Sequence, residues 1–210
     1  MLKLKSLVKK FDNQSLCLKN ISKAFDRSVV HGIYGFNGSG KSTLIKLIAS
    51  IFTPDSGEIF FNDEKITHIK NYLHKVCYIN SETRNLYERL TGKQNISFLN
   101  QIYKNSSSPD TLSLMLGELN LLADLNKYVS SYSLGMKQKL SIAIHLSQNS
   151  EIILLDEFTD HLDDNAISFL VKYIHGLKEN KTILYVSRTE KNILEFCDKK
   201  YRLFEGQLYE

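Results

Sequence analysis

Apolar and polar positions change rhythm along the chain. The opening "MLKLKSLVKKF" sets leucine against lysine, the period-two pattern of a strand with one exposed face. Strand-like segments over 2–8, 15–21 and 29–35 lead into "KSTLIKLIASIF", where Leu44, Ile45, Leu47 and Ile48 recur at helical spacing. "GEIFFN" (57–62) and "KVCYIN" (75–80) read again as strands. From about 83 to 147 the period turns helical, in segments such as "NISFLNQIY" and "TLSLMLGELNLL", with "NSSSPD" (105–110) as a turn or short linker. From 151 onward strand (152–155), helix (164–178), strand (182–187) and helix (189–197) alternate, and a strand pair follows near 200–209. Strands alternating with helices predict a parallel sheet covered on both faces, with the helical middle inserted into it.

One strand ends in an unusual way. In "EIILLDEFTDHLDD" (151–164) the run Ile152 to Leu155 reads as a buried parallel strand, and it leads directly into Asp156 and Glu157. Two adjacent carboxylates there are costly unless something cationic faces them. Asp160, Asp163 and Asp164 fit an acidic turn capping the next helix, but that role does not account for Asp156 and Glu157.

"GFNGSGKST" (35–43) supplies a partner. Gly35, Gly40, Lys41 and Ser42 fit G-x-x-x-x-G-K-[ST], after the strand "VHGIYG" and at the start of the helix from Ser42. Gly38 and Gly40 let successive N–H groups converge on one anion, and the helix behind adds its positive end. Lys41 is placed for the outer phosphates and the Ser42 hydroxyl for Mg²⁺. In such a sheet Asp156 holds the same ion, directly or through water, while Glu157 faces the water that attacks the γ-phosphate.

Composition narrows the class further. A net charge of +4, from 27 Lys+Arg against 23 Asp+Glu, is spread along the chain, which fits a solvated surface better than a nucleic-acid platform. Cys17, Cys77 and Cys197 lack CxxC spacing and fit free thiols in a reducing compartment. There is no signal-peptide h-region and no apolar run long enough to span a bilayer, so a cytosolic protein is expected unless a partner holds it elsewhere.

Three segments together resemble one family. "GFNGSGKSTLIKLIASIFTPDSGEI", "YSLGMKQKLSIAIHLSQNSEIILLDEFTDHLD" and "ILEFCDKKYRLFEGQL" are similar, in order and spacing, to an ATP-binding cassette (ABC) ATPase over essentially the whole chain. The resemblance implies an α/β fold: a P-loop NTPase core with a mostly parallel sheet, an N-terminal antiparallel β part and an inserted α-helical subdomain. The core would take 1–82 and 148–210, and the signature subdomain about 83–147. It further implies that residues 35–43, namely Gly35, Phe36, Asn37, Gly38, Ser39, Gly40, Lys41, Ser42 and Thr43, cradle ATP. Ser133 and Gly135, at the start of the helix "GMKQKLSIAIHL", would complete the site of a second copy in a head-to-tail dimer. Phe11 matches the residue that stacks on adenine, with a core phenylalanine as the other reading; Asp163 matches an aspartate that communicates across the dimer, with helix capping as the other.

The chain departs from the family pattern at several positions. Arg188 stands where a histidine usually contacts the γ-phosphate, and arginine cannot shuttle a proton. Ser81 takes the place of a glutamine, with Glu82 beside it as an alternative oxygen ligand to Mg²⁺. Phe158 replaces the proline after Glu157. The resemblance implies ATP and Mg²⁺ as cofactors, Glu157 and Arg188 as catalytic residues, and Ser42, Asp156 and Glu82 around the metal. Expected partners are a separate membrane permease and a second cassette, the same or related, with no direct nucleic acid. The place would be the cytoplasmic side of the membrane, peripheral, with residues 83–90 lining the groove for a permease helix. The signature variant and short C-terminus resemble exporters of peptides, antibiotics or bacteriocins. A soluble cassette such as an iron–sulfur assembly ATPase, or a slow-turnover regulatory cassette, are the alternatives.

Overall fold

A computed structural model describes residues 1–11, 16–66, 72–82, 85–103, 108–179 and 181–210. Ten strands and six helices are used below. Leu2–Lys10 (β1), Leu16–Phe25 (β2), Ser56–Phe61 (β4) and Glu64–Lys65 (β5) form an antiparallel sheet in the order β2-β1-β4-β5. Val29–Tyr34 (β3), Val76–Asn80 (β6), Ile152–Asp156 (β7), Thr182–Ser187 (β8), Lys199–Phe204 (β9) and Gln207–Tyr209 (β10) form the second, in the order β10-β9-β3-β8-β7-β6. Every pairing in it is parallel except the hairpin β9–β10.

The helices are Lys41–Ile48 (α1), Gly92–Tyr103 (α2), Pro109–Glu118 (α3), Leu134–Leu146 (α4), Asp164–Leu177 (α5) and Glu190–Phe196 (α6). These follow the sequence reading closely; α1 opens one residue earlier than expected, at Lys41. Among the described residues no helix is long and apolar enough to cross a membrane.

The continuous apolar runs follow from burial on both faces of the sheet. Side chains alternate along β7: Ile152 and Leu154 join one core cluster, Ile153 and Leu155 the other. On the first face lie α1 and the antiparallel sheet, through Leu44, Ile48, Leu2 and Leu7. On the second lie α4, α5 and α6, through Leu140, Leu170 and Phe196. Cross-strand register then aligns the carboxyl ends: Asn80 opposite Asp156, Asp156 opposite Val186, and Tyr34 opposite Ser187. The phosphate loop, the acidic pair and Arg188 all emerge from that one edge, where open α/β sheets bind ligands.

Candidate nucleotide site

The loop 35–40 turns tightly from β3 into α1. Gly40 caps the helix at φ 101°, a left-handed conformation open to glycine, and among the described residues no side-chain cap hydrogen bond forms there. The helix's first N–H groups are left to an anion. Among the described residues the buried Ser39 hydroxyl has no hydrogen-bond partner, a second orphan in the same loop. Buried Lys41 folds back instead: Nζ donates to Gly35 O at 2.8 Å and Phe36 O at 3.1 Å. Burial lowers its pKa, while Glu157 and Asp156 pull the other way.

Asp156, at the end of β7, is buried with both oxygens engaged. Ser42 Oγ donates to Oδ1 at 3.1 Å and the Tyr78 hydroxyl to Oδ2 at 3.0 Å. Burial raises the Asp156 pKa, and these two hydrogen bonds oppose the rise. Ser42 Oγ and Asp156 Oδ1 are spaced much like two adjacent ligands of an octahedral magnesium ion, about 2.9 Å apart at bond lengths of about 2.05 Å. The donor set, hydroxyl and carboxylate oxygen, also suits a hard cation. Glu82, exposed just beyond β6, lies close enough for its charge to raise the Tyr78 pKa.

Glu157 turns out of the sheet at φ 49°, a conformation that is strained for a non-glycine residue, and its N–H donates to Val186 O at 3.0 Å. Burial raises its pKa, with Arg188 and Lys41 opposing. With Cys17, Asn37, Gly38, Gly40, Lys41, Ser42 and Thr43 it lines one cavity of ≈ 320 Å³. Arg188 is not among the residues lining that cavity, though its charge is felt at Lys41. Its Nε pairs with Glu157 Oε2 at 2.9 Å, and its Nη2 with Asp160, which therefore serves an ion pair rather than a helix cap.

The other expected residues lie apart. Phe11 is 43% exposed, which removes the core reading, and its ring meets Phe52 edge-on at 5.8 Å. Ser133 caps α4 by accepting from Met136 N at 3.2 Å; a Cβ on Gly135 would lie 2.6 Å from His161 O. Neither lines the phosphate-loop cavity. Asp163 caps α5, accepting from Ala166 N at 2.9 Å, and pairs with Lys139 of α4. Buried Gln138 ties α4 to the site's rim, donating to Asn80 O at 3.0 Å and Phe158 O at 2.9 Å. Residues 83–84 of the expected permease groove lie outside the described residues.

Sequence reasoning missed Cys17, Asp160 and the contact of Tyr78. Tyr78 falls there within the strand "KVCYIN" and carries no assigned role. Its contact depends on the β6–β7 register, which places Asp156 diagonally across from it on one face.

Comparison with known proteins agrees with the geometry. The model of the family described as ABC transporter matches residues 18–160. The uncharacterized ABC transporter ATP-binding protein YybJ of Bacillus subtilis (strain 168) is 30% identical over 209 residues, covering 99% of this chain and 94% of that protein. The lantibiotic transport ATP-binding protein SrtF of Streptococcus pyogenes is 30% identical over 209 residues, covering 99% and 89%. A solved ATP-binding subunit of an ABC transporter superposes with TM-score 0.87 at 27% identity, covering 99% of this chain and 88% of that one. A matching family model over more than half the chain, near-complete relatives and a shared fold lead to one conclusion: the chain belongs to the ATP-binding cassette family, as an ABC transporter ATPase.

Proposed function

We propose that the chain binds ATP with magnesium in the cavity under the phosphate loop and hydrolyses it to drive export of a peptide-like substrate through a separate permease. The observation that carries the reading is the 3.1 Å contact of Ser42 with Asp156, which joins the loop to the acidic strand end with Glu157 on the same cavity. Lys41 leaves the carbonyls of Gly35 and Phe36 for the phosphates, a stronger, charge-assisted bond. Ser42 and Asp156 hold the cation, which when bound neutralises charge on the outer phosphates. Glu157 orients a water on the γ-phosphate and accepts its proton. Phe11, exposed at the end of β1, offers a ring face to adenine.

The signature residues Ser133 and Gly135 then act on the nucleotide of a second copy, with Asp163 near that junction. In this reading α2 to α4 belong to a helical subdomain, about 83–147, set on a core of 1–82 and 148–210. The permease docks where large apolar side chains stand exposed. Ile51, Leu73 and Ile102 rim a cavity of ≈ 390 Å³, and Tyr87 packs on Phe98 at 4.8 Å nearby. Docking there would hold the chain at the cytoplasmic face of the membrane. Export of a peptide rests on the resemblance to SrtF, while a ribose import ATP-binding protein matches at 31% identity over 44% of its own length.

The test is phosphate release by the chain reconstituted with its permease, beside Glu157→Gln. The reading expects the variant to keep ATP binding and lose turnover; equal release by both removes Glu157 from the chemistry. Loaded inside-out vesicles that accumulate substrate establish export, whereas loss of substrate from them establishes import.

A further inference from the structure

Asp156 makes different use of its two oxygens. Oδ1 faces Ser42 Oγ across 3.1 Å, on the side of the phosphate loop. Oδ2 points back toward β6, where the Tyr78 hydroxyl donates to it at 3.0 Å. Tyr78 pairs in register with Leu154, so Asp156 lies two residues further along β7 on the same face, within reach of a phenol. Asp156 is buried, so an oxygen without a donor there is costly, and a carboxylate with one free oxygen can turn about its last bond.

We infer that Tyr78 is a positioning residue: it occupies Oδ2 and so fixes Oδ1 beside Ser42 as the oxygen presented to the divalent cation that accompanies the nucleotide. This rests on the reading of Asp156 as a metal-holding carboxylate. Outer partners of this kind restrict a ligand's rotation before the ion arrives, so their loss appears as weaker metal binding with the ligands still in place. A phenol suits the position because its ring packs against the core beside β7 while the hydroxyl alone reaches the acid. Phenylalanine keeps the ring and removes the hydroxyl, with its contacts to Asp156 and Asn80.

The experiment measures ATP affinity of the full chain by isothermal titration, once with Mg²⁺ and once with EDTA, for wild type, Tyr78→Phe and Asp156→Asn. Mn²⁺ paramagnetic resonance gives the ion's occupancy beside the nucleotide independently of turnover. The inference expects Tyr78→Phe to lose about tenfold in affinity with Mg²⁺ and to stay within about twofold of wild type in EDTA. It expects weaker Mn²⁺ occupancy at the same ATP saturation. Asp156→Asn should show the same metal-specific loss, larger. A Tyr78→Phe loss of equal size in EDTA, or none with Mg²⁺ while Asp156→Asn loses affinity, overturns the role of Tyr78 and leaves the reading of Asp156 standing. An Asp156→Asn protein that keeps its full magnesium-dependent affinity overturns both.

Discussion

Arg188 Nε lies 2.9 Å from Glu157 Oε2, and the same guanidinium spans to Asp160. The carboxylate proposed to activate water is therefore ion-paired. A planar fork can hold two carboxylates at once; a histidine ring cannot reproduce that geometry. Arg188 is about half exposed, so the pair is screened and modest. Arg188→His is expected to raise phosphate release roughly two- to fivefold, corresponding to an ion pair of about 0.5–1 kcal/mol. A steady-state assay at saturating ATP checks this, and a fall in rate would instead place Arg188 on the phosphate.

Phe11 gives a prediction on affinity alone. Its ring is exposed, so truncation should not disturb the core. Phe11→Ala is expected to weaken ATP about tenfold, within the range of a base–aromatic stack of about 1–3 kcal/mol. Inorganic triphosphate should bind unchanged; equal weakening of both ligands would show that the ring does not meet the base.

Phe158 predicts a loss of stability. It is fully buried, with Tyr185 and Phe196 rings 5.1 and 5.4 Å away. Phe158→Ala should cost about 3–5 kcal/mol in chemical denaturation. A loss under about 1 kcal/mol would mean that the site collapses around the gap.

His145 predicts a pH dependence. Its Nδ1 donates to Ser141 O at 2.7 Å and its Nε2 accepts from the Tyr103 hydroxyl at 3.1 Å, and burial lowers its pKa. The folded state resists protonation, so its neutral form contributes stability that is complete above the unfolded value of about 6.5 and is lost as pH falls from there toward the lowered value. Melting curves of wild type should therefore drop more steeply below that pH than those of His145→Asn. Parallel slopes would show that His145 does not titrate with unfolding.

The parallel sheet and phosphate loop were legible because their signals are local. β7 and β8 are buried along their whole length and so read as unbroken apolar runs, and the loop's glycines, lysine and serine are contiguous. Asp156 and Glu157 stood out because charge at the end of such a run needs an explanation. What depended on pairing across the sheet was not legible: Tyr78 on Asp156 requires the β6–β7 register, and Arg188 on Glu157 requires the order β7 beside β8. The exposure of Phe11 likewise depends on tertiary packing, since a lone phenylalanine after alternating residues fits a core or a rim equally well.

The central claim is that the loop around Lys41 grips the phosphates of ATP, and equilibrium ATP affinity of Lys41→Ala tests it most directly. The account predicts a fall of about tenfold or more, the loss of a charge-assisted hydrogen bond, in a protein that still melts cooperatively. Undiminished affinity in that variant would contradict it.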